Sequence, residues 1–104
     1  MSVAVRSDLM DRVTKGGTLL DSLTPGWDEE IDVPMLNIES DHDCTLGQIF
    51  GSFRRGVWEI EKATGSALDT VANGFSKSPG CSFDELTRAW RVFISRRRCF
   101  LKAA

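Results

Sequence analysis

At 104 residues the chain can organise one hydrophobic core and is too short for two. Its 41% apolar and 9% aromatic residues exclude a chain that stays disordered, and a formal net charge of -2 singles out neither nucleic acid nor an anionic surface as a partner. Residues Met1 to Arg6 lack the apolar core of a secretory leader, and no run approaches the roughly 18 apolar residues that span a bilayer, so a cytoplasmic protein without membrane contact is expected.

Apolar spacing predicts an all-α fold, a small bundle of about four helices with an irregular acidic segment wrapped around it. The first helix is expected over roughly 8–23, capped by Ser7, with Leu9, Val13, Leu20 and Leu23 near one stripe. Gly16 and Gly17 in its middle predict a bend or a late start. Thr24-Pro25-Gly26 stops it, because the residue before proline resists helical angles and Pro-Gly favours a turn. From Trp27 to Cys44 apolar anchors alternate with acids and Pro34, which suits a winding segment with a helical turn or a short extended piece around Met35 to Ile38.

The next helix is expected to start at Thr45, with Gln48 three residues on reaching back to the cap amide. It should continue through Ile49, Phe50, Phe53 and Val57 to a stop at Gly65, with a possible interruption at Gly56. Gly47 and Gly51 are read as close-packing positions. Ser66 predicts a short helix closed by Asn73-Gly74, and Pro79-Gly80 a loop. Ser82-Phe83-Asp84-Glu85 has the spacing of a capping box, and the helix behind it carries Leu86, Trp90 and Phe93 inward, with arginines crowding its last turn and a basic tail over about 96–104. The expected core comprises Leu20, Ile49, Phe50, Phe53, Leu86, Trp90 and Phe93, with Trp58 also inside and Trp27 either core or a binding anchor.

Cys44, Cys81 and Cys99 are odd in number and widely spaced, so free, reduced thiols are expected rather than a disulfide framework or a zinc cluster. Asp41-His42-Asp43-Cys44 gathers potential metal ligands or a cysteine nucleophile. The pair of ligands a zinc site would need elsewhere is not visible, so an acidic loop at a helix dipole is the plainer reading. No metal or cofactor is expected.

Charge is distributed unevenly. Gly16 to Phe53 contains no lysine or arginine and many acids, whereas from Arg88 onward there is no acid at all. Like charges held together destabilise unless they face an opposite patch within the fold or on a partner. The residues expected to bind a partner are therefore Trp27, Asp28, Glu29 and Glu30 in the acidic run and Arg88, Arg91 and Arg97 in the basic one. Pairing of the two runs with each other, and a solvated helix end that complements its dipole, are the alternatives.

Pro25-Gly26-Trp27, the pair Ile31-Asp32, Cys44-Thr45-Leu46-Gly47-Gln48 followed by Gly51, and Leu86-Thr87-Arg88-Ala89-Trp90-Arg91 resemble the pattern of small uncharacterised proteins of actinobacteria and their phages. Leu19-Leu20-Asp21 fits it as well, and the likeness spans most of residues 19–98. The resemblance implies a phage or actinobacterial origin and carries no activity onto any residue. The leading expectation is a non-catalytic accessory protein that binds a host protein. A nucleic-acid-binding regulator using the basic C-terminal helix is the alternative, and an enzyme built on His42 and Cys44 the third.

Overall fold

Helices account for nearly all the regular structure, in a computed structural model that describes residues 6–103, with side chains described for residues 6–99. Five α-helices follow one another: α1 (Ser7–Leu23), α2 (Trp27–Glu30), α3 (Thr45–Phe50), α4 (Phe53–Thr64) and α5 (Phe83–Ala103). A 3-10 turn at Val33–Met35 lies between α2 and α3, and no strand occurs among the described residues. The all-α expectation holds, with one long expected helix divided and one short one missing.

Helix α1 runs unbroken through its paired glycines, which serve packing instead of bending. A Cβ on Gly16 would lie 2.1 Å from the Asn73 carbonyl oxygen, and one on Gly17 2.4 Å from the Phe93 ring. Arg6 occupies the cap position expected of Ser7, and its guanidinium pairs with Asp8 in the first turn. At the other end Gly26, in the left-handed region with φ 86°, turns the chain into α2.

The expected helix over 45–65 breaks at Gly51 into α3 and α4, which pack as a hairpin. Gly51 takes φ 101°, and the Ser52 hydroxyl accepts from the Arg55 amide, so a helix stop and a fresh cap adjoin. Gly56, the expected interruption, instead lets the helices approach: a Cβ there would meet that of Leu46 at 2.7 Å. Cys44 takes the cap role assigned to Thr45, its sulfur accepting from the Gly47 amide at 3.2 Å. Gln48 does not close a capping box. Its Oε1 accepts from the Asp32 amide at 2.6 Å, tying the acidic segment to α3. Of the expected packing glycines, Gly47 does pack, facing the Asp41–His42 backbone, whereas Gly51 is an exposed stop. Gly65 ends α4 as expected, at φ 71°.

No helix forms over 66–75. The Glu61 carboxylate accepts from the Leu68 amide at 2.8 Å, and Asp69 accepts from the Ala72 amide at 2.9 Å, so side chains satisfy amides that a helix would otherwise use. The capping box of α5 forms as read: the Glu85 amide donates to the Ser82 hydroxyl at 3.1 Å and the Ser82 amide to the Glu85 carboxylate at 2.9 Å. Helix α5 continues to Ala103, so Arg96, Arg97 and Arg98 stand on a helix rather than in a tail, a turn before its end.

The core lies between α1 and α5, closed by the acidic segment and the α3–α4 hairpin. Leu20, Leu86 and Trp90 are buried as expected, while Ile49, Phe50, Phe53 and Phe93 are half-buried around them. Of the other two tryptophans, Trp27 takes the core alternative and Trp58, expected inside, lies at the surface. Trp27 is fully buried, its ring stacked on Phe93 with centroids 6.4 Å apart and edge-on to Trp90 at 5.9 Å, whereas Trp58 is 54% exposed. The radius of gyration is 13.0 Å, near the roughly 13 Å of a compact domain of this length.

Candidate functional site

Three of the residues expected to bind a partner meet at the edge of the core. Arg97 donates to both oxygens of Asp21, at 3.1 and 2.8 Å, and its Nε lies 3.2 Å from the Asp28 carboxylate, which is only 5% exposed. Trp27 Nε1 donates to Asp21 at 2.9 Å, and the guanidinium of Arg97 sits 5.6 Å from the Trp27 ring centre. Burial opposes the charge of Asp21, but the hydrogen bonds from Arg97 and Trp27 outweigh it and hold its carboxyl below the ordinary value. The same hydrogen bond to Asp21 raises Arg97. Trp27, Asp28 and Arg97 therefore form an internal ionic and aromatic joint.

The neighbouring arginines bind backbone. Arg98 donates to the carbonyls of Asp28, at 2.7 Å, and of Ile31. Arg91 donates to that of Leu36 at 2.9 Å, and the Thr87 hydroxyl accepts from the Ile38 amide at 2.9 Å. Read in order, residues 28, 31, 36 and 38 meet residues 98, 98, 91 and 87, so the acidic segment runs antiparallel to α5 as a strap. Glu29, Glu30 and Arg88 remain exposed, Arg88 on an open cleft of about 530 Å³ shared with Asp43 and Asp84.

The cluster 41–44 divides its members between structural tasks. The Asp41 carbonyl accepts from the Phe53 amide at 2.8 Å, and His42 Nδ1 donates to the Gly51 carbonyl at 2.8 Å, clipping the α3–α4 turn. Cys44 is 2% exposed, and burial pushes its thiol up, away from the thiolate a nucleophile or metal ligand requires. Among the described residues no three His, Cys, Asp or Glu side chains converge as a metal site would need. None of the cysteines is paired; Cys44 and Cys81 are buried and Cys99 is exposed. With a thiol-labelling reagent, Cys99 should react first and Cys44 and Cys81 only with unfolding. Mass spectrometry of the labelled peptides checks this, and rapid native labelling of Cys44 would overturn its burial.

The sequence reading missed the face of α4 that points away from the core. Trp58 stands there at 54% exposure, with Lys62 Nζ 4.1 Å from its ring centre and Arg54 and Arg55 exposed one turn before it. Lys62 also pairs with Glu59 at 3.0 Å, while neither Arg54 nor Arg55 forms an ion pair among the described residues. An exposed tryptophan framed by cations can seat an apolar anchor while its rim meets carboxylates. Among the described residues no helix is long and apolar enough to cross a membrane. Compared with protein families, curated proteins and solved structures, the chain matches none.

Proposed function

We propose that this chain is a small non-catalytic accessory protein of the phage or actinobacterial kind its sequence resembles, acting in the cytoplasm by binding a host protein through the outer face of α4. The observation that carries this reading is Trp58, exposed beside Arg54, Arg55 and Lys62 while Trp27 and Arg97 are engaged inside the fold. Tryptophan and arginine are the residues most enriched where binding energy concentrates, and leaving a tryptophan half in water is otherwise unfavourable. Cations around it favour an acidic surface on the partner and give association a salt dependence. The overall negative charge of the chain disfavours a phosphate backbone as that partner.

Trp58→Ser and Arg54→Glu with Arg55→Glu should leave the fold and its melting temperature within experimental scatter of the parent, since all three side chains are exposed. Capture of a host protein from lysate should fall about tenfold or more for each variant. Undiminished capture by both, with fold retained, would move the contact elsewhere. A second reading, nucleic-acid binding through α5, has the exposed Arg88 and Arg96 in its favour. Electrophoretic mobility of the parent and of Arg88→Glu with Arg96→Glu at several salt concentrations separates the two readings.

A further inference from the structure

We infer that the outer face of α4 also receives the acidic strap of a second copy of this chain, so that the protein associates with itself through two unlike patches. This rests on the reading of α4 as a docking surface and names a partner for it.

The argument starts from which apolar side chains the fold leaves in water. Among the described residues the large ones are Met35, 56% exposed, and Trp58, 54% exposed. They lie on different elements and in surroundings of opposite sign. Trp58 shares its helix face with Arg54, Arg55 and Lys62. Met35 ends the 3-10 turn of the strap, behind the exposed carboxylates of Glu29, Glu30 and Asp32. The cleft beside Met35 adds Glu39, Asp43 and Asp84 against Arg88 and Arg91, so its surroundings remain net acidic.

Within one copy these charges are not matched to each other. No ion pair joins Glu29, Glu30 or Asp32 to Arg54, Arg55 or Lys62, and the first five of these residues form no ion pair among the described residues. The strap cannot swing across to reach α4, because Arg91, Arg98, Thr87 and Gln48 hold its backbone. Each patch therefore presents an apolar centre beside charges without an ion pair among the described residues, Arg54 and Arg55 on one and Glu29, Glu30 and Asp32 on the other, and the two sets are of opposite sign on the same molecule. In a contact between copies, the thioether of Met35 can lie against the Trp58 ring, a favourable sulfur–aromatic contact, while the carboxylates meet the guanidinium groups. Pairing of unlike patches closes as a two-fold dimer if both contacts form at once and extends as a chain if they do not.

Sedimentation velocity at low salt should show the weight-average mass of the full-length protein rising with concentration up to about 1 mM, and returning to the monomer at about 1 M salt, where the Debye length is near 3 Å. Arg54→Glu with Arg55→Glu should weaken association at least about tenfold, and so should Glu29→Lys with Glu30→Lys. Equimolar mixing of these two variants should restore association, as should combining all four substitutions in one chain, because both rims are then reversed together. Trp58→Ser should weaken it with no charge altered. Circular dichroism confirms that each variant is folded. A parent that stays monomeric at low salt, or a mixture that fails to associate, would overturn the inference. Host-protein capture by the same variants is read separately: a monomeric parent whose capture still depends on α4 sinks self-association alone, whereas capture indifferent to the α4 variants sinks the docking reading.

Discussion

Trp90→Ala is expected to lose about 3 to 5 kcal/mol, enough to leave a domain of ordinary stability largely unfolded. Trp90 is completely buried, and its ring touches three others: Trp27 at 5.9 Å and Phe93 at 6.0 Å edge-on, and Phe75 stacked at 5.7 Å between centroids. Its Nε1 also donates to the Gly74 carbonyl at 2.6 Å, which fixes the irregular 66–82 connection against α5. Alanine would open a cavity where α1, the strap, the connection and α5 converge, and would leave a buried carbonyl without its donor. Trp90→Phe keeps most of the packing and loses the hydrogen bond, so its loss should be clearly smaller. Urea denaturation followed by circular dichroism measures both; a midpoint for Trp90→Ala equal to the parent's would refute the central role of this ring.

Arg97→Ala should come second, at about 3 to 5 kcal/mol, because it strands a charge instead of merely deleting one. Asp28 is 5% exposed and its Oδ2 has Arg97 Nε, at 3.2 Å, as its cationic neighbour. Pairing Arg97→Met with Asp28→Leu should recover most of the loss, since an apolar pair leaves no buried carboxylate unmatched. Asp21 gives the same joint a pH signature. Its folded carboxyl is held below the ordinary value despite burial, so it stabilises the fold fully above the unfolded carboxylate pKa of about 3.9, and that contribution disappears as pH falls through the lower folded value. The melting temperature should therefore drop below about pH 4, and Asp21→Asn should flatten that acid limb. A limb unchanged by Asp21→Asn would remove Asp21 from the account. It also follows that reversing Arg97 or Asp28 would report on folding rather than on partner binding.

Local signals in the sequence were reliable where one side chain acts on one amide nearby. The capping box at Ser82 and Glu85 is of this kind, the stop at Gly65 is a backbone turn just as local, and both formed. Where neighbours could serve, the unexpected one did: Cys44 caps α3 in place of Thr45, and Gln48 crosses to Asp32 instead of reaching back to the cap. The division at Gly51 was hidden because the apolar spacing runs on through it, and only the adjoining Ser52 hinted at a new start. Position around the helix would have placed Trp58 correctly. At about 100° per residue it lies some 140° from Phe53, whereas Val57 and Ile60 stay within about 40° of Phe53. The internal joint was not legible, since Asp21 and Arg97 are separated by 76 positions and a charge without a nearby partner looks surplus. Trp27 was left open between core and anchor for the same reason, its stacking neighbour Phe93 being remote in the chain.

The stitches of the strap have a consequence for the order of events during synthesis. Gln48 anchors the strap from nearby in the sequence, but Thr87, Arg91, Arg97 and Arg98 all lie on α5, made at least 49 positions after the strap residues they hold. Trp90 and Ile94, against which α1 would pack, come equally late. At a synthesis rate of about 5 to 20 residues per second, α1 and the strap wait several seconds for the helix that completes them, and α5 must then clear the exit tunnel before it can dock. Docking of α5 thus turns a nascent chain with an uncovered apolar flank into a closed molecule only once α5 has emerged, and until then that flank is open to chaperones and proteases.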